Sequence, residues 1–524
     1  MLSVCRTPDL SMERHALLTS ITTLEVRKAE LLKELELVDL NLKIQRAEYS
    51  RQLNEDAAIY NLPNELLTGI FMSCQQATRP KRGSARMLPL QVIVSHVSHR
   101  WRDIALATPL LWNTIDFNVR PMNHVQKRTL SQLEAHLDRS GECFLDITLN
   151  FHVVNELSMY FELLGAHSKR WRRLSIVKRY EQVDDIVGLL RDAPTPMLEH
   201  LSLNLGKPQE GSLSPRKKYH SVAPSIFTLG APRLTFVRLA GLALGILHPP
   251  TTFVTTLHLD GWTRHFMTHD QFRDVFAAAP LLVNLSLNQL CIHHSRDPFA
   301  LLQPAHLSHL RCLRIRGPCS PLSRLISSMN MPQLYALSLQ SVDTFDSDIL
   351  RSVESLCLDS CAFDEQEIGN LISALPSVTY LSIDDSMPDI FFMLYPEPTA
   401  ESTVVTTTLA PGPSPSPNAV TGSNTTRPWP WPYLRTLAVR DLQSADVTHL
   451  CGMLLSRRAG NGNGDPSGSA VRTVLLDRRS RSVLRTRDRY ELVKERFELE
   501  SADSPEPWPW PGGLGYEDAH DLLE

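Results

Sequence analysis

Near the start of the chain, apolar residues recur in alternating steps of three and four, with one polar break at Lys28. The series consists of Leu17, Ile21, Leu24, Leu31, Leu35, Val38 and Leu42. This spacing is typical of the seam of a coiled coil about four heptads long, so we expect one helix over residues 13–58. Such a length is marginal for an isolated helix, and two hypotheses stay open. The helix either packs on its own protein or associates with a second copy.

A different pattern begins at residue 59 with the stretch IYNLPNELLTGIF (59–71). Pro63 and Glu65 suit the first turn of a helix, because a missing N–H is harmless there and the helix dipole favours a negative charge. Asn61 precedes them and can cap the helix. An apolar face then follows, made of Leu66, Leu67, Ile70 and Phe71. The stretch therefore predicts a short amphipathic helix with a wide apolar face.

After a polar, basic segment at 75–88 that predicts a loop, the chain continues as VSHVSHRWRDIALATPLLW (94–112). It predicts one helix whose apolar face holds Ile93, Val94, Val97, Trp101, Ile104 and Ala105. Short helices within about 55 residues cannot enclose much core by themselves. We therefore expect the module at 59–117 to be covered by another surface, supplied by this chain or by a partner.

The remainder of the chain, over about 143–480, repeats a frame of apolar residues written Leu-x-x-Leu-x-Leu. Clear copies start at residues 198, 234, 254, 282, 310, 334, 353, 378 and 434, and weaker copies start at 144, 171 and 471. Helix-like segments such as HDQFRDVFAAAP (269–280) and DEQEIGNLISALP (364–376) lie between copies and end in proline before the next strand. Strand, turn, helix and proline in this order favour an α/β leucine-rich-repeat solenoid. An ordinary α/β domain would explain the alternation but not the recurring frame.

Three segments interrupt this pattern. Residues 396–432 and 458–469 are rich in Pro, Ser, Thr, Gly or Asn, and we expect both to be disordered insertions. A flexible tail is expected over residues 501–524.

In a solenoid of this kind the frame leucines point inward, and the residues between them face the concave side. On this basis we expect a polar stripe that binds a protein or peptide partner. Its candidate contact residues are His200, Arg238, His258, Asp260, Asn284, Arg314, Arg316, Asp359, Tyr380 and Asp384.

Composition and charge narrow the possible functions. The net charge of −4 disfavours a general attraction to nucleic acid or membranes, and no apolar run approaches a membrane span. Nine scattered cysteines and the lack of a signal-peptide pattern favour the cytoplasm or the nucleus. No phosphate-binding loop, nucleophile elbow or zinc-protease motif is found. We therefore expect a protein that is not an enzyme and that needs no cofactor or metal.

Together, LPNELLTGIF (62–71) and VSHVSHRWRDIALATPLLW (94–112) resemble the F-box motif, which has a Leu-Pro-x-Glu-Leu/Ile-Leu helix and a later Val-x-x-x-Trp helix. The segment at 75–88 is longer and more basic than is usual in that motif. The order of coiled coil, F-box and repeats is similar to the large group of F-box proteins of mushroom-forming fungi.

This resemblance implies a function. F-box helices bind a small Skp-family adaptor, which bridges to a cullin and a RING subunit of a ubiquitin ligase. The matching adaptor-contact positions are Leu62, Pro63, Leu66, Leu67, Ile70, Phe71, Val94, Val97 and Trp101. The chain would then be a substrate receptor; the alternative hypothesis is a repeat scaffold that recruits no ligase.

Overall fold

The computed structural model describes most of the chain, in sixteen segments. These are residues 10–55, 57–77, 89–119, 123–151, 158–178, 183–205, 225–241, 243–261, 266–293, 304–317, 322–345, 350–384, 388–394, 429–459, 471–485 and 490–501. The chain forms two compact units, Met1–Leu111 and Trp112–Glu524.

A single long helix, α1 (Leu10–Glu55), opens the first unit. The long helix predicted over residues 13–58 is thus present, although it ends at Glu55, before a separate 3-10 turn that begins at Ala58. All of its residues from 12 to 53 are exposed, and even the seam residues Leu17 and Leu42 are 63% and 46% exposed. The seam therefore does not pack against the described part of its own chain.

The helical module that follows α1 consists of short elements. They are a 3-10 turn at Ala58–Asn61, α2 (Asn64–Ala77), α3 (Leu90–Ser95), α4 (His99–Leu106) and a 3-10 turn at Pro109–Leu111. The predicted helix at 62–71 is present, but it extends into the predicted loop as far as Ala77. Residues 78–88 lie outside the described residues.

Two local predictions for the module were wrong. The carbonyl oxygen of Pro63 accepts the N–H of Leu67 at 3.2 Å, so Pro63 rather than Asn61 stands at the N-terminal boundary of α2. The single helix expected after residue 93 is divided into α3 and α4, because Ser98 caps α4 with a side chain that accepts the N–H of Trp101. The apolar spacing continues across this break, which is why the sequence suggested one helix.

The second unit is built on one large parallel sheet. Within the described residues its fourteen strands follow the order β1-β2-β3-β4-β5-β6-β8-β11-β13-β14-β15-β16-β17-β18. Their bounds are β1 Thr114–Val119, β2 Leu145–Phe151, β3 Trp171–Lys178, β4 His200–Leu205, β5 Phe236–Gly241, β6 Thr256–Asp260, β8 Asn284–Asn288, β11 Cys312–Arg316, β13 Ala336–Gln340, β14 Ser355–Asp359, β15 Tyr380–Asp384, β16 Thr436–Arg440, β17 Thr473–Leu476 and β18 Glu498–Ser501. Two small parallel pairs are also formed, by β7 (Phe266–Thr268) with β9 (Cys291–His293) and by β10 (Ala305–His306) with β12 (Met329–Asn330).

Helices connect most of these strands. They are α5 Asn123–Arg139, α6 Ser158–Gly165, α7 Val183–Arg191, α8 Ala243–Ile246, α9 His269–Ala277, α10 Leu322–Ser327, α11 Glu365–Ala374, α12 Pro388–Met393, α13 Val447–Ala459, α14 Arg478–Arg485 and α15 Tyr490–Arg496. Both helix-like segments singled out in the sequence are helical, as α9 and α11. At the start of α11, Asp364 and Glu367 form a reciprocal capping box, with N···O distances of 2.8 and 3.0 Å.

Each of the twelve sequence frames contains a strand of the large sheet, from β2 to β17. The fourth residue of the frame occupies the same register position on neighbouring strands; for example, Leu285 aligns with Leu313 and Leu313 with Leu337. These aligned leucines are fully buried and join one continuous core with apolar residues of the connecting helices. The recurring frame therefore specifies a row of core residues that runs across the sheet.

The turn that follows several of the strands is also repeated. Gln289 donates its N–H to the carbonyl oxygen of Arg316, and Gly317 donates to that of Gln340, both at 2.8 Å. Both residues have positive φ, +47° and +68°, which glycine tolerates most easily. A side chain at Gly261, in the neighbouring turn, would approach the carbonyl oxygen of Gln289 to 2.5 Å. Ser341 and Ser360 continue the pattern, so the strands β8, β11, β13 and β14 end in the same way.

The sheet extends beyond the predicted range of 143–480 at both ends. The strand β1 crosses the end of the predicted helical module (59–117). The strand β18 ends at Ser501, the first residue of the predicted tail (501–524), and the rest of that tail lies outside the described residues. The strand β1 carries one more weak copy of the frame, in Trp112, Ile115 and Phe117, which the sequence prediction did not include, whereas β18 carries no full frame. Of the predicted insertions, residues 396–428 and 460–469 lie outside the described residues, whereas Trp431 is buried in the sheet unit.

Candidate protein-interaction surfaces

The helical module presents exposed apolar side chains on its surface. Leu66 and Ile70 of α2 are 55% and 43% exposed, and Val97, between α3 and α4, is 52% exposed. Pro63 is exposed and Leu62 is half-buried. Five further large apolar residues of the module are exposed, namely Ile59, Tyr60, Ile93, Leu106 and Leu110. We call the set Leu62, Pro63, Leu66, Ile70 and Val97 the module surface.

The remaining predicted adaptor contacts lie elsewhere in the module. Leu67, Phe71 and Val94 are buried, so the prediction that they contact a partner directly is corrected. Trp101 is half-buried, and its ring centroid lies 4.9 Å from that of Phe71. Leu67, Phe71 and Val94 therefore form part of the small core of the module itself, and Trp101 packs at the border of that core. Helical periodicity shows which residues share a face, but it cannot show how much of that face the neighbouring helix covers.

Arg100 does not belong to the predicted apolar face of this segment, yet it is a structural residue of the module. Its guanidinium donates to the side-chain oxygen of Asn64 at 2.9 and 3.1 Å and to the carbonyl oxygens of Tyr60 and Leu62. It also lies over the ring of Tyr60, 5.1 Å from the centroid. Arg100 therefore fixes the Leu62–Pro63 turn against the start of α4. In the sequence, Arg100 is marked only by its position next to Trp101. Such a pair is too common to predict a structural role.

Two further polar contacts hold the module together. Arg102 donates to the carbonyl oxygen of Ser95 at 2.8 Å and so joins the ends of α3 and α4. Gln75, near the end of α2, donates to the carbonyl oxygen of Leu111 at 3.1 Å. These contacts fix the relative positions of the helices that carry the module surface.

In the second unit, the side of the sheet opposite the buried leucines carries the polar stripe. The strand register arranges its residues in three rows. His200, Asn284 and Tyr380 belong to the first row, Arg238, His258 and Arg314 to the second, and Asp260, Arg316, Asp359 and Asp384 to the third. The structure thus brings all ten predicted contact residues onto one face of one sheet, which we call the polar face.

Only half of these residues are accessible. Asn284, Arg316, Asp359, Tyr380 and Asp384 are half-buried, and their side chains can reach a partner. His200, Arg238, His258, Asp260 and Arg314 are buried, and their prediction as direct contacts is therefore corrected. Alternation along a strand predicts the face on which a side chain lies. It does not predict that strands on both sides will remove that side chain from water.

The buried residues form a compact cluster around His258. His200 stacks on Phe236 with ring centroids 4.1 Å apart, and Phe236 meets His258 at 4.9 Å. Arg238 donates to Asp260 at 2.5 Å in an ion pair whose side chains are only 4% and 9% exposed. Because it excludes water, the cluster stiffens the centre of the polar face and holds neighbouring strands together.

Burial and positive charge act together on His258. Desolvation lowers the pKa of His258 well below its ordinary value of 6.5, and the nearby charges of Arg314 and Arg238 lower it further. His258 is therefore neutral at pH 7. Arg314 donates to the hydroxyl of Ser286 at 3.0 Å. Because His258 is neutral, the positive charge of this part of the polar face comes from its arginines.

The other end of the polar face is acidic. Asp359 accepts a hydrogen bond from the amide of Gln340 at 2.9 Å, and Asp384 lies 3.8 Å from the guanidinium of Arg440. Both carboxylates are half-buried and remain accessible on one side. The charged residues of the polar face thus change along the sheet from arginines to carboxylates, one of which lies beside Arg440.

The described residues offer no constellation for holding a metal. Among them there is no group of three or more His, Cys, Asp and Glu side chains arranged as ligands. Cys312 and Cys361 are buried, and desolvation raises the pKa of each thiol to about 11, so both are protonated at pH 7. No helix in the described part of the chain has both the length and the apolar character of a membrane span.

No model of a known protein family and no curated protein sequence matches this chain.

Proposed function

We propose that this protein is the substrate-recognition subunit of an SCF-type cullin-RING ubiquitin ligase. The module surface would bind a Skp-family adaptor, and through it a cullin and a RING subunit. The observation that carries the proposal is the exposure of Leu66, Ile70 and Val97 beside a proline turn that Arg100 fixes in place. In this arrangement the protein performs no chemistry and raises the local concentration of its target near the ubiquitin-carrying enzyme.

Physical considerations support docking at the module surface. Complete burial of one leucine or isoleucine side chain is worth about 1.5–3 kcal/mol. Leu66, Ile70 and Val97 are each about half exposed, so their burial can supply about 2–4.5 kcal/mol, a substantial part of the about 8 kcal/mol of a micromolar complex. The buried Leu67, Phe71 and Val94 then act as positioning residues, because they hold α2 and α3 so that the exposed side chains form one patch.

The second unit would bind the substrate. We interpret its repeated frame, aligned core leucines and repeated turns as a leucine-rich-repeat solenoid. The accessible residues of the polar face, among them Arg316 at the basic end and Asp384 at the acidic end, suit a protein or peptide with an uneven charge distribution. Function in the cytoplasm or the nucleus is part of the same proposal.

A second candidate function is a repeat scaffold that recruits no ligase. The observation that favours it is the burial of Leu67, Phe71 and Val94 within the module. A module that covers part of its own apolar face has less need of an external partner. Under this hypothesis the polar face would still bind a protein.

Co-expression with a Skp-family adaptor separates the two functions. We expect the full chain to form a stoichiometric complex and the double variant Leu66→Asp, Ile70→Asp to lose it, because two carboxylates would be desolvated at the contact. Position 66 lies in the first turn of α2, where the helix dipole favours a negative charge, so the helix should persist at that end. The measurement is the amount of adaptor that co-purifies with the tagged chain.

Leu229→Asp is the matched control, since Leu229 is another exposed leucine, at 69%, in the sheet unit. It should leave the complex intact. Equal recovery of adaptor with the double variant, or no complex with the unchanged chain, would favour the scaffold function instead.

A further inference from the structure

Helix α1 exposes an apolar seam that nothing in the described part of the chain covers. Every seam residue is close to half exposed or more, from Leu42 at 46% to Leu24 at 67%. Further apolar residues, such as Leu18 and Leu32, widen the seam on one side and are 59% and 51% exposed. An apolar row of this length on a water-exposed helix is typical of an interface.

We infer that α1 pairs with α1 of a second copy in the antiparallel direction, in one defined register. The inference does not depend on the proposed ligase function. It follows from the charged residues within and beside the seam. Each possible alignment of the two helices places these residues opposite different partners, and we compare the resulting charge pairs.

The parallel alignment brings like charges together. In-register parallel helices place each seam residue opposite itself, so Lys28 would face Lys28 of the second copy inside the interface. Along the edges of such a pair, Glu34 would face Asp39 of the second copy on both sides. Two ammonium groups in the seam and two pairs of carboxylates beside it oppose this alignment.

The antiparallel alignment can avoid all of these contacts. When Lys28 lies opposite Leu31 of the second copy, Leu24 meets Leu35, Ile21 meets Val38 and Leu17 meets Leu42. Each layer is then apolar except the two that hold Lys28, whose long side chain can extend its amino group to water. On the edges, Arg27 faces Glu34 of the second copy, and symmetry forms this pair twice.

Neighbouring antiparallel registers are disfavoured. A shift of one heptad in one direction places Arg27 opposite Arg27 and Glu25 opposite Glu25 of the second copy. A shift in the other direction places Glu34 opposite Glu34 and Glu25 opposite Asp39. Charge complementarity therefore selects a single register, with the two Glu55 ends about 75 Å apart at a rise of 1.5 Å per residue.

Sedimentation equilibrium of the full chain at low ionic strength tests this inference. We expect a dimer of the unchanged protein. Glu34→Arg should weaken it about 10-fold or more, because it sets Arg27 against an arginine twice. The double variant Arg27→Glu, Glu34→Arg exchanges the partners and should restore the dimerisation constant to within about 3-fold.

The same substitution reports the direction of the helices. In a parallel pair, Glu34→Arg would place an arginine opposite Asp39 and tighten the dimer, which would overturn the inference. A monomeric unchanged protein at about 100 µM, a concentration that populates even a weak complex, would overturn it as well. Glu36→Arg is the matched control, because Glu36 lies on the outer face of α1 and should leave the dimer unaffected.

Discussion

At the residue scale, the effect of a side chain here depends on neighbours that are distant in sequence. Arg100 and His258 both come from stretches that suggest exposed polar residues. Arg100 instead fixes the turn at Leu62, 38 residues earlier in the chain. His258 instead lies in a buried cluster between Arg238 and Arg314. Each of the two residues supports a candidate interaction surface by holding its neighbours in place, and neither is itself a contact residue of that surface.

His258 makes the sheet unit sensitive to acid. Its pKa in the folded chain lies well below the ordinary value of 6.5, so below pH 6.5 the unfolded chain takes up a proton that the folded chain refuses. The contribution of neutral His258 to the unfolding free energy is therefore fully present above pH 6.5 and is lost as the pH falls below that value. When the pH is lowered from 7.0 to 5.5, the unfolding free energy of both proteins should fall. We expect the fall to be about 1 kcal/mol smaller in His258→Gln than in the unchanged chain.

Urea denaturation at the two pH values measures this difference. Burial also lowers the pKa of His136 and of His248, so the unchanged chain and the variant should both lose stability in acid. The exposed His309 provides the control, and His309→Gln should behave like the unchanged chain. An identical acid loss in the His258 variant would contradict the prediction.

At the element scale, the break between α3 and α4 positions the module surface. Ser98 separates the two helices and caps the N-terminus of α4. As a result, Val97 is exposed between the helices and the ring of Trp101 packs against that of Phe71. A continuous helix would place these side chains at different heights and angles. The cap is therefore as important to the module surface as its apolar residues.

We expect Ser98→Ala to destabilise α4 by about 1 kcal/mol, the usual cost of a lost N-terminal cap. Hydrogen exchange of the backbone amides over residues 99–106 should accelerate about 5-fold in consequence. Ser95→Ala is the control, because the Ser95 hydroxyl donates to the carbonyl oxygen of Val92 inside α3 and caps no N–H. Equal acceleration in both variants would argue against the capping role.

At the scale of the whole molecule, the sheet continues across long segments of chain without losing its register. The strands β15 and β16 are separated by residues 385–435, yet Leu381 pairs with Leu437 as other frame leucines pair. Chain entropy permits this, since the cost of closing a loop grows only with the logarithm of its length. The pairing is stabilised by the core on either side of the inserted segment.

Replacement of residues 398–426 by about ten glycine and serine residues should therefore change the unfolding free energy by about 1 kcal/mol or less. The contrast is Trp431→Ala, with a cost of about 3–5 kcal/mol. Trp431 is 1% exposed, and its carbonyl oxygen accepts from the buried Arg457 at 3.2 Å. Chemical denaturation of the sheet unit distinguishes the two, and a large loss from the replacement alone would contradict the prediction.

The sequence by itself determined the elements with strong periodicity. The seam of α1, the apolar face of α2 and the twelve frames of the sheet follow from the positions of leucine and its neighbours, because burial of one face requires that spacing. The same alternation placed all ten polar candidates on one face. The strand β1 has the same spacing but was recognised only when its pairing with β2 was seen, and β18, which lacks the frame, was recognisable only from its pairing with β17.

Tertiary structure alone decided which of these residues remain accessible. Periodicity assigns Leu66 and Leu67 to the same helix face, but the packing of α3 and α4 leaves one 55% exposed and buries the other completely. In the same way, neighbouring strands enclose Arg238 and leave Arg316 accessible. Exposure depends on contacts between distant parts of the chain, and a local pattern of residues does not contain that information.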